Sequence, residues 1–86
     1  MPALAYIDPW AVAIDICIRI GRRIRHLRQH RGMTQVMLAD HAEITREHLS
    51  ELENGKKEIG VRVLERVVSS LGISLSSFFD DRSFRY

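Results

Sequence analysis

The sequence predicts an all-α domain of five helices, and three observations support this prediction. Apolar residues recur at intervals of three and four from Ile20 onward, the spacing that gives a helix one buried face. Glycine, which commonly ends a helix, follows three of these segments, at Gly32, Gly55 and Gly72. Residues that cap helix N-termini open three segments, at Thr34, Thr45 and Ser74.

Length and composition indicate one folded domain. The chain has 86 residues, of which 45% are hydrophobic and 28% are charged, close to the average of globular proteins. From this size we expect no second, catalytic domain, and the composition argues against a disordered chain. The single cysteine, Cys17, cannot form an internal disulfide. A domain this small then depends on an economical helical core or on a second subunit, so we expect an oligomer.

The most hydrophobic stretch, residues 10–20, does not have the character of a membrane span. It is shorter than the roughly 18 residues that a span needs, and Asp15 and Arg19 interrupt it. It also lacks the basic leader and the small-residue cleavage site of a secretory signal. We therefore expect a cytoplasmic protein with no membrane partner.

Basic residues are concentrated in the first of the five predicted helices. The net charge is only +2, a weak field for binding polyanions by bulk charge. Residues 19–31 nevertheless contain six arginines and no acid. Arg22 and Arg25, with Arg19 as a possible third member, fall on neighbouring turns of a helix. This basic stripe could lie along a phosphate backbone, and the alternative is an ordinary solvated helix face.

The start of the chain allows two interpretations. Asp8-Pro9 could be an N-cap followed by proline at the first helical position. Beyond it, the four isoleucines at positions 14, 16, 18 and 20 alternate with polar residues as in a strand. Trp10, Ile14 and Ile18 also repeat at helical spacing, and we favour a helix.

The five predicted helices each have an apolar face. In chain order, these faces consist of Ile20, Ile24 and Leu27; Leu38, Ala39 and Ala42; Leu49 and Leu52; Leu64, Val67, Val68 and Leu71; and Leu75, Phe78 and Phe79. In the last residues, Phe84 and Tyr86 alternate with polar residues and could add an edge strand.

The second and third helices, joined by Ala42-Glu43-Ile44, have the outline of a helix-turn-helix. The segment from Ile20 to Phe79 resembles the phage Cro/repressor-like helix-turn-helix family, also called the xenobiotic response element family. The resemblance is carried by the stretches IGRRIRHLRQHRGMTQ, LADHAEIT, LSELENGK and LGISLSSFF. It implies a lambda-repressor-like DNA-binding domain at residues 20–80, with an N-terminal extension at 1–19 and a C-terminal tail at 81–86. The small size is also similar to that of restriction-modification controller proteins and small phage repressors.

The resemblance implies two sets of DNA contacts. The base-reading positions of the family match outward residues of the third helix, namely Arg46, Glu47, His48, Ser50 and Glu51. The phosphate-binding positions match Thr34, Gln35, Thr45, Asn54, Lys56 and Lys57. Arginine can donate two hydrogen bonds to guanine and glutamate can accept one from cytosine, which suits a reading role. Glu51 could instead pair with a basic group of the protein.

The resemblance also implies structural roles. Arg28 and Glu53 match a buried ion pair between the first and third helices. A dimer interface would use the last two helices, at Val63, Val67, Leu75, Phe78 and Phe79, and the alternative for these residues is the core of a single chain. One short reading helix covers only a few base pairs, so a two-fold dimer on a palindromic operator is expected.

Three departures from the family pattern affect these expectations. Glu43 replaces a glycine of the turn, so the backbone there should be less left-handed or strained. Gly60 gives the fourth helix a weaker cap than serine would. Glu65 replaces an apolar residue, which puts the detail of the dimer contact in question.

The sequence therefore predicts a sequence-specific transcriptional regulator that binds double-stranded DNA as a homodimer, and its own promoter is a candidate target. We expect no enzyme activity, cofactor or metal. His26 and His30 lack further ligands nearby in sequence, and Cys17 is expected to be a buried apolar residue. An alternative is an antitoxin that holds a toxin through the apolar N-terminal segment and the aromatic tail. A third possibility is a helix-turn-helix used only for protein contacts.

Overall fold

The computed structural model describes residues 14–85, and all the secondary-structure elements in this part of the chain are helices. It contains five α-helices: α1 (Ile16–His30), α2 (Gln35–Ala42), α3 (Arg46–Glu53), α4 (Val61–Ser70) and α5 (Leu75–Phe79). A 3₁₀ turn, Arg82–Phe84, follows α5. The predicted all-α architecture is therefore confirmed. The predictions made for Asp8-Pro9 and Tyr86 lie outside the described residues.

The first helix begins earlier than the clear apolar pattern indicated. Asp15 caps it, because its carboxylate accepts a hydrogen bond of 2.7 Å from the backbone N–H of Cys17. The helical interpretation is thus correct from Ile16 onward, and four residues of the expected extension belong to α1. Cys17 is half-buried rather than buried, and desolvation followed by its contact with Asp15 raises the pKa of its thiol.

The predicted caps hold the helix ends in place. The hydroxyls of Thr34, Thr45 and Ser74 each accept a hydrogen bond from a backbone N–H three residues ahead. Gly60 provides no such bond to α4, as the sequence suggested. The glycines that end α1, α3 and α4 have positive φ angles, at Gly32, Gly55 and Gly72.

The core lies between α2 and α4 and extends to α1, α3 and α5. Its largest fully buried side chains are Phe78, Ile24, Leu38, Leu49, Leu71, Val67 and Val68. Arg66 of α4 also donates a hydrogen bond of 3.0 Å to the carbonyl oxygen of Ala42, at the C-terminus of α2. The last α2 turn is thereby tied to α4, which helps to fix the helix-turn-helix on the rest of the domain.

The prediction of a dimer interface is wrong for two of its five residues. Val67 and Phe78 are 0% exposed, because they fill the core of the single chain. Leu75 and Phe79 are 39% and 38% exposed and remain on the surface, and Val63 is half-buried. The tail forms the 3₁₀ turn instead of an edge strand, since Phe84 packs on the rings of Phe78 and Phe79.

No helix within residues 14–85 has both the length and the apolar character required to cross a bilayer.

The turn between α2 and α3 contains the one non-glycine residue with a positive φ among the described residues. Glu43 has φ 60° and ψ 41°, the left-handed conformation that its glycine counterparts adopt easily. The expectation of a less left-handed turn is therefore wrong, and the alternative, strain, applies. The turn keeps its shape at the expense of a steric clash at Cβ.

Replacing Glu43 with glycine should therefore stabilise the domain. We expect Glu43→Gly to raise the free energy of unfolding by about 0.5–1 kcal/mol, since lost strain exceeds the added entropy of the unfolded chain. Urea unfolding measures the change. Glu43→Ala is the control, because it removes the carboxylate and keeps Cβ. Equal stabilisation by both variants would show that charge, and not backbone strain, is responsible.

Candidate nucleic-acid interface

The N-terminal half of α3 presents a polar surface to solvent. The side chains of Arg46 and Glu47 are 52% and 75% exposed, and that of Glu51 is 40% exposed. At about 100° per residue, Ser50 lies on the same face as Arg46, whereas His48 lies nearly opposite. Arg46, Ser50, Glu47 and Glu51 thus occupy an arc of about 140° on the helix, and His48 lies beyond the edge of this arc, about 60° from Glu51.

A single buried carboxylate connects the three helices behind this surface. Glu53 is 2% exposed and receives two hydrogen bonds from Arg28, of 2.7 Å from Nε and 3.0 Å from Nη2. Arg25 approaches the same carboxylate at 3.4 Å. Gln35 of α2 donates to it at 3.1 Å. Two arginines of α1, an amide of α2 and a carboxylate of α3 therefore form one network, which we call the Glu53 network.

Close packing of α1 on α3 makes this network possible. Gly21 lies where α1 crosses the C-terminal end of α3, and a Cβ atom there would be 2.7 Å from the carbonyl oxygen of Glu53. Any larger residue would push the two backbones apart, because the obstructing atoms belong to the main chain. Glycine at this position brings α1 close enough for Arg28 to reach Glu53.

The network extends to the predicted reading surface through Gln35. Its amide nitrogen binds Glu53, and its amide oxygen accepts a hydrogen bond of 3.2 Å from Nη1 of Arg46. Arg46 is also 3.8 Å from Glu47. Both ends of the Gln35 amide thus have partners inside the protein, and one of these partners is the foremost candidate for base contact.

The predicted phosphate-binding residues lie at the helix ends around this surface. Thr34 and Thr45 are exposed caps of α2 and α3. Asn54 ends α3, where its side chain accepts a 2.8 Å hydrogen bond from Arg25 and donates to the backbone of Ser50. Lys56 and Lys57 are exposed in the loop that follows. Backbone N–H groups at the starts of two helices and two lysines are suitable partners for an anionic backbone.

Glu51 has the alternative partner that the sequence left open. Its carboxylate lies 3.4 Å from Nζ of Lys57. Both side chains are about half exposed, so the pair contributes little to stability and can separate when another partner arrives. Glu51 and Lys57 therefore remain accessible for contacts with a ligand.

The basic stripe of α1 is only partly a solvated surface. Arg25 is bound to Glu53 and Asn54, and Arg19 donates a 3.2 Å hydrogen bond to the carbonyl oxygen of Ser83. Arg22 is exposed. The stripe therefore divides into structural arginines and an exposed one, which charge periodicity alone does not distinguish.

Sequence reasoning missed Arg25 as a partner of Glu53 and Arg66 as a cap of α2. Helical spacing offers one signal for the first, because Arg25 precedes Arg28 by one turn and so lies on the same side of α1. No local pattern indicates the second. Arg66 and Ala42 are 24 residues apart and meet only when α4 packs on α2.

Removing the buried charge of Glu53 should destabilise the domain more than removing an exposed charge of the same helix. Glu53→Gln leaves Arg28 half-buried beside a neutral group, so we expect the free energy of unfolding to fall by about 3 kcal/mol. The matched control is Glu51→Gln in the same helix, whose exposed ion pair should contribute less than about 1 kcal/mol. Chemical denaturation followed by circular dichroism compares them. Losses of equal size would contradict a special role for the buried carboxylate.

The chain is similar to helix-turn-helix regulators over most of its length. A family model described as Helix-turn-helix matches residues 24–78. The control protein C.MunI of a Mycoplasma species is 35% identical over 68 residues, which cover 78% of this chain and 92% of that protein. The immunity repressor of Bacillus phage phi105 is 33% identical over 64 residues, 74% of this chain but only 44% of the repressor.

The fold has a counterpart that was solved on DNA. The structure of C.Esp1396I bound to a 25 base pair operator site matches with a TM-score of 0.73 and 26% sequence identity. The match covers 77% of this chain and 87% of that one. The family model includes α2, the turn and α3 together with most of the core described above. The chain therefore belongs to the Cro/C1-type helix-turn-helix family.

Proposed function

We propose that the protein is a transcriptional regulator that binds a palindromic DNA operator as a homodimer. The observation that supports this most strongly is the bond between Gln35 and Arg46, which links an exposed arginine of α3 to the buried Glu53 network. A reading side chain held in advance loses less entropy when it meets a base. The printed descriptions of relatives as a control protein, a repressor and an operator-bound protein support the same function.

The surface chemistry suits recognition of base edges in the major groove. The guanidinium of Arg46 can donate two hydrogen bonds to O6 and N7 of guanine, and Glu47 can accept one from the amino group of cytosine. Thr34, Lys56 and Lys57 surround this surface and would contact phosphates, which set the register of the helix without reading sequence. Two acids among these residues repel phosphate, so binding should depend strongly on correct base contacts.

A second copy of the chain is the partner that we propose for the exposed apolar residues of α4 and α5. Val61, Leu75 and Phe79 are 80%, 39% and 38% exposed, and Val63, in the same helix as Val61, is half-buried. A two-fold arrangement would place two α3 helices about 34 Å apart, one turn of duplex. The protein would then read two half-sites. As in the sequence-based prediction, we propose that the operator lies in its own promoter.

The antitoxin alternative loses part of its basis. It depended on the apolar N-terminal segment and on the aromatic tail. Phe84 now has a partner within the chain, since its ring centroid is 4.9 Å from that of Phe79 and 5.9 Å from that of Phe78. Phe84 therefore does not need a separate protein as the partner for its ring.

Selection of bound duplexes from a random DNA pool tests the proposed function. At about 0.15 M salt, the surface potential of a weakly charged protein is largely screened, so enrichment reports specific contacts. Light scattering on the same sample gives the number of subunits. We expect a palindromic consensus bound by a dimer. No enrichment, or an asymmetric site bound by a monomer, would contradict the proposal.

Arg46 and Gln35 should both affect sequence preference. The family resemblance implies that Gln35 binds phosphate, a contact whose loss would weaken binding to all duplexes alike. The bond between Gln35 and Arg46 leads to a different expectation. Arg46→Ala should weaken binding to the selected duplex by about tenfold or more, because one bidentate contact is lost. Gln35→Ala should give a smaller loss in the same direction. In both variants, the affinity for a scrambled duplex should change by less than about threefold, which corresponds to less than about 1 kcal/mol of binding free energy.

Lys56→Ala is the control for loss of charge. It should weaken binding to selected and scrambled duplexes alike and lower the slope of log affinity against log salt by about 0.9. Fluorescence anisotropy titrations with both duplexes measure all three variants. If Arg46→Ala behaved as Lys56→Ala does, Arg46 would be a phosphate contact and not a reader of bases.

A further inference from the structure

We propose that Arg23 of α1 is a positioning residue that holds α5 in the orientation needed for subunit association. The inference rests on the proposed homodimer, because α5 carries two of its exposed apolar residues, Leu75 and Phe79. The first helix lies outside the helix-turn-helix itself. Through Arg23 it would influence subunit association by positioning α5.

The α5 helix is too short to hold its own position. It has five residues, of which only Phe78 is buried. Isolated helices of fewer than about 12 residues are marginal in water, so tertiary contacts must fix this one. Its main packing partner is α4, and Ser74 caps its N-terminus. The C-terminal end needs a separate support.

Arg23 supplies that support. Its Nε donates a 3.0 Å hydrogen bond to the carbonyl oxygen of Phe78, and its Nη2 donates a 3.2 Å bond to that of Ser77. Carbonyls at a helix C-terminus lack partners within the helix and favour a positive charge. The guanidinium carbon also lies 5.9 Å from the centre of the Phe78 ring. One side chain thus satisfies the last turn of α5 and contacts its buried aromatic residue.

The same guanidinium also holds the tail. Its Nη1 is 3.3 Å from the carboxylate of Asp81, and the Arg23 side chain is only 15% exposed, which limits screening by salt. Hydrogen bonds from the side chain and backbone of Ser83 lower the pKa of Asp81, with further contributions from Arg23 and His26. Asp81 therefore stays charged at neutral pH. Arg19 adds the bond to the carbonyl of Ser83.

These contacts determine how Phe79 is presented. The Phe79 ring meets Phe78 edge to face at 5.0 Å and Phe84 edge to face at 4.9 Å. Phe78 precedes Phe79 on the turn that Arg23 caps, and Phe84 belongs to the segment that Asp81 and Ser83 attach to α1. Arg23 therefore contacts both segments whose rings orient Phe79, through the carbonyls of α5 and the carboxylate of Asp81. Loss of this side chain should disturb the apolar surface while leaving α2 and α3 in place.

The test compares three variants in the full chain without DNA. Sedimentation equilibrium should show that Arg23→Gln raises the subunit dissociation constant by about tenfold or more, since two bonds to carbonyls and one ion pair are lost. Asp81→Asn removes only the ion pair and should raise it by about threefold. Arg82→Gln is the matched control, because Arg82 is an exposed arginine of the tail, and its constant should stay within about twofold of the wild type.

Binding to half-operators separates positioning from a general loss of stability. We expect Arg23→Gln to bind a single half-site duplex as the wild type does and to lose affinity only for the full palindrome. If Arg23→Gln does not fold, the other two variants test the role of Arg23. Asp81→Asn should then raise the subunit dissociation constant more than Arg82→Gln does. An unchanged subunit dissociation constant in Arg23→Gln, or an equally large rise of this constant in Arg82→Gln, would overturn the role of Arg23 but not the homodimer. A wild type that stays monomeric would overturn the homodimer and this role with it.

Discussion

The architecture depends on one buried negative charge. Glu53 lies at the end of α3, and two arginines of α1 and an amide of α2 converge on its carboxylate. A buried carboxylate is costly unless such partners surround it, and once they do, their geometry fixes the helices that carry them. Satisfying this one group therefore helps to set the angle between α2 and α3. The buried charge therefore selects one arrangement of the helices more than it adds to the free energy of unfolding. An apolar core of equal volume could be as stable without selecting one arrangement.

Several further features preserve this arrangement. Gly21 lets α1 approach the backbone of α3, and Glu43 keeps the left-handed turn despite its side chain. Arg66 ties the end of α2 to α4. The exposed half of α3 then presents Arg46 from a rigid support, with Gln35 as the link between buried charge and surface. A helix of eight residues can read DNA only if its orientation is fixed in this way.

Much of the fold follows from local patterns, whereas most side-chain partners do not. Apolar spacing, three hydroxyl caps and three glycines with positive φ are local signals, and they predicted the helices and their ends. Arg23 and Arg25 belong to the same run of charge, and nothing local shows that one binds α5 and the other Glu53. Val67 and Phe78 were assigned to an interface because core and interface use the same residue types. Burial separates the two, and burial depends on how distant elements pack.

The central claim is that the Glu53 network holds Arg46 in position for reading a base. A crystal structure of the protein on its selected duplex tests this claim most directly. We expect α3 to lie in the major groove, with Arg46 at a guanine edge and Gln35 still bonded to Glu53. A complex in which α3 stays outside the groove, or in which Gln35 has left Glu53 and Arg46 contacts only phosphate, would contradict it.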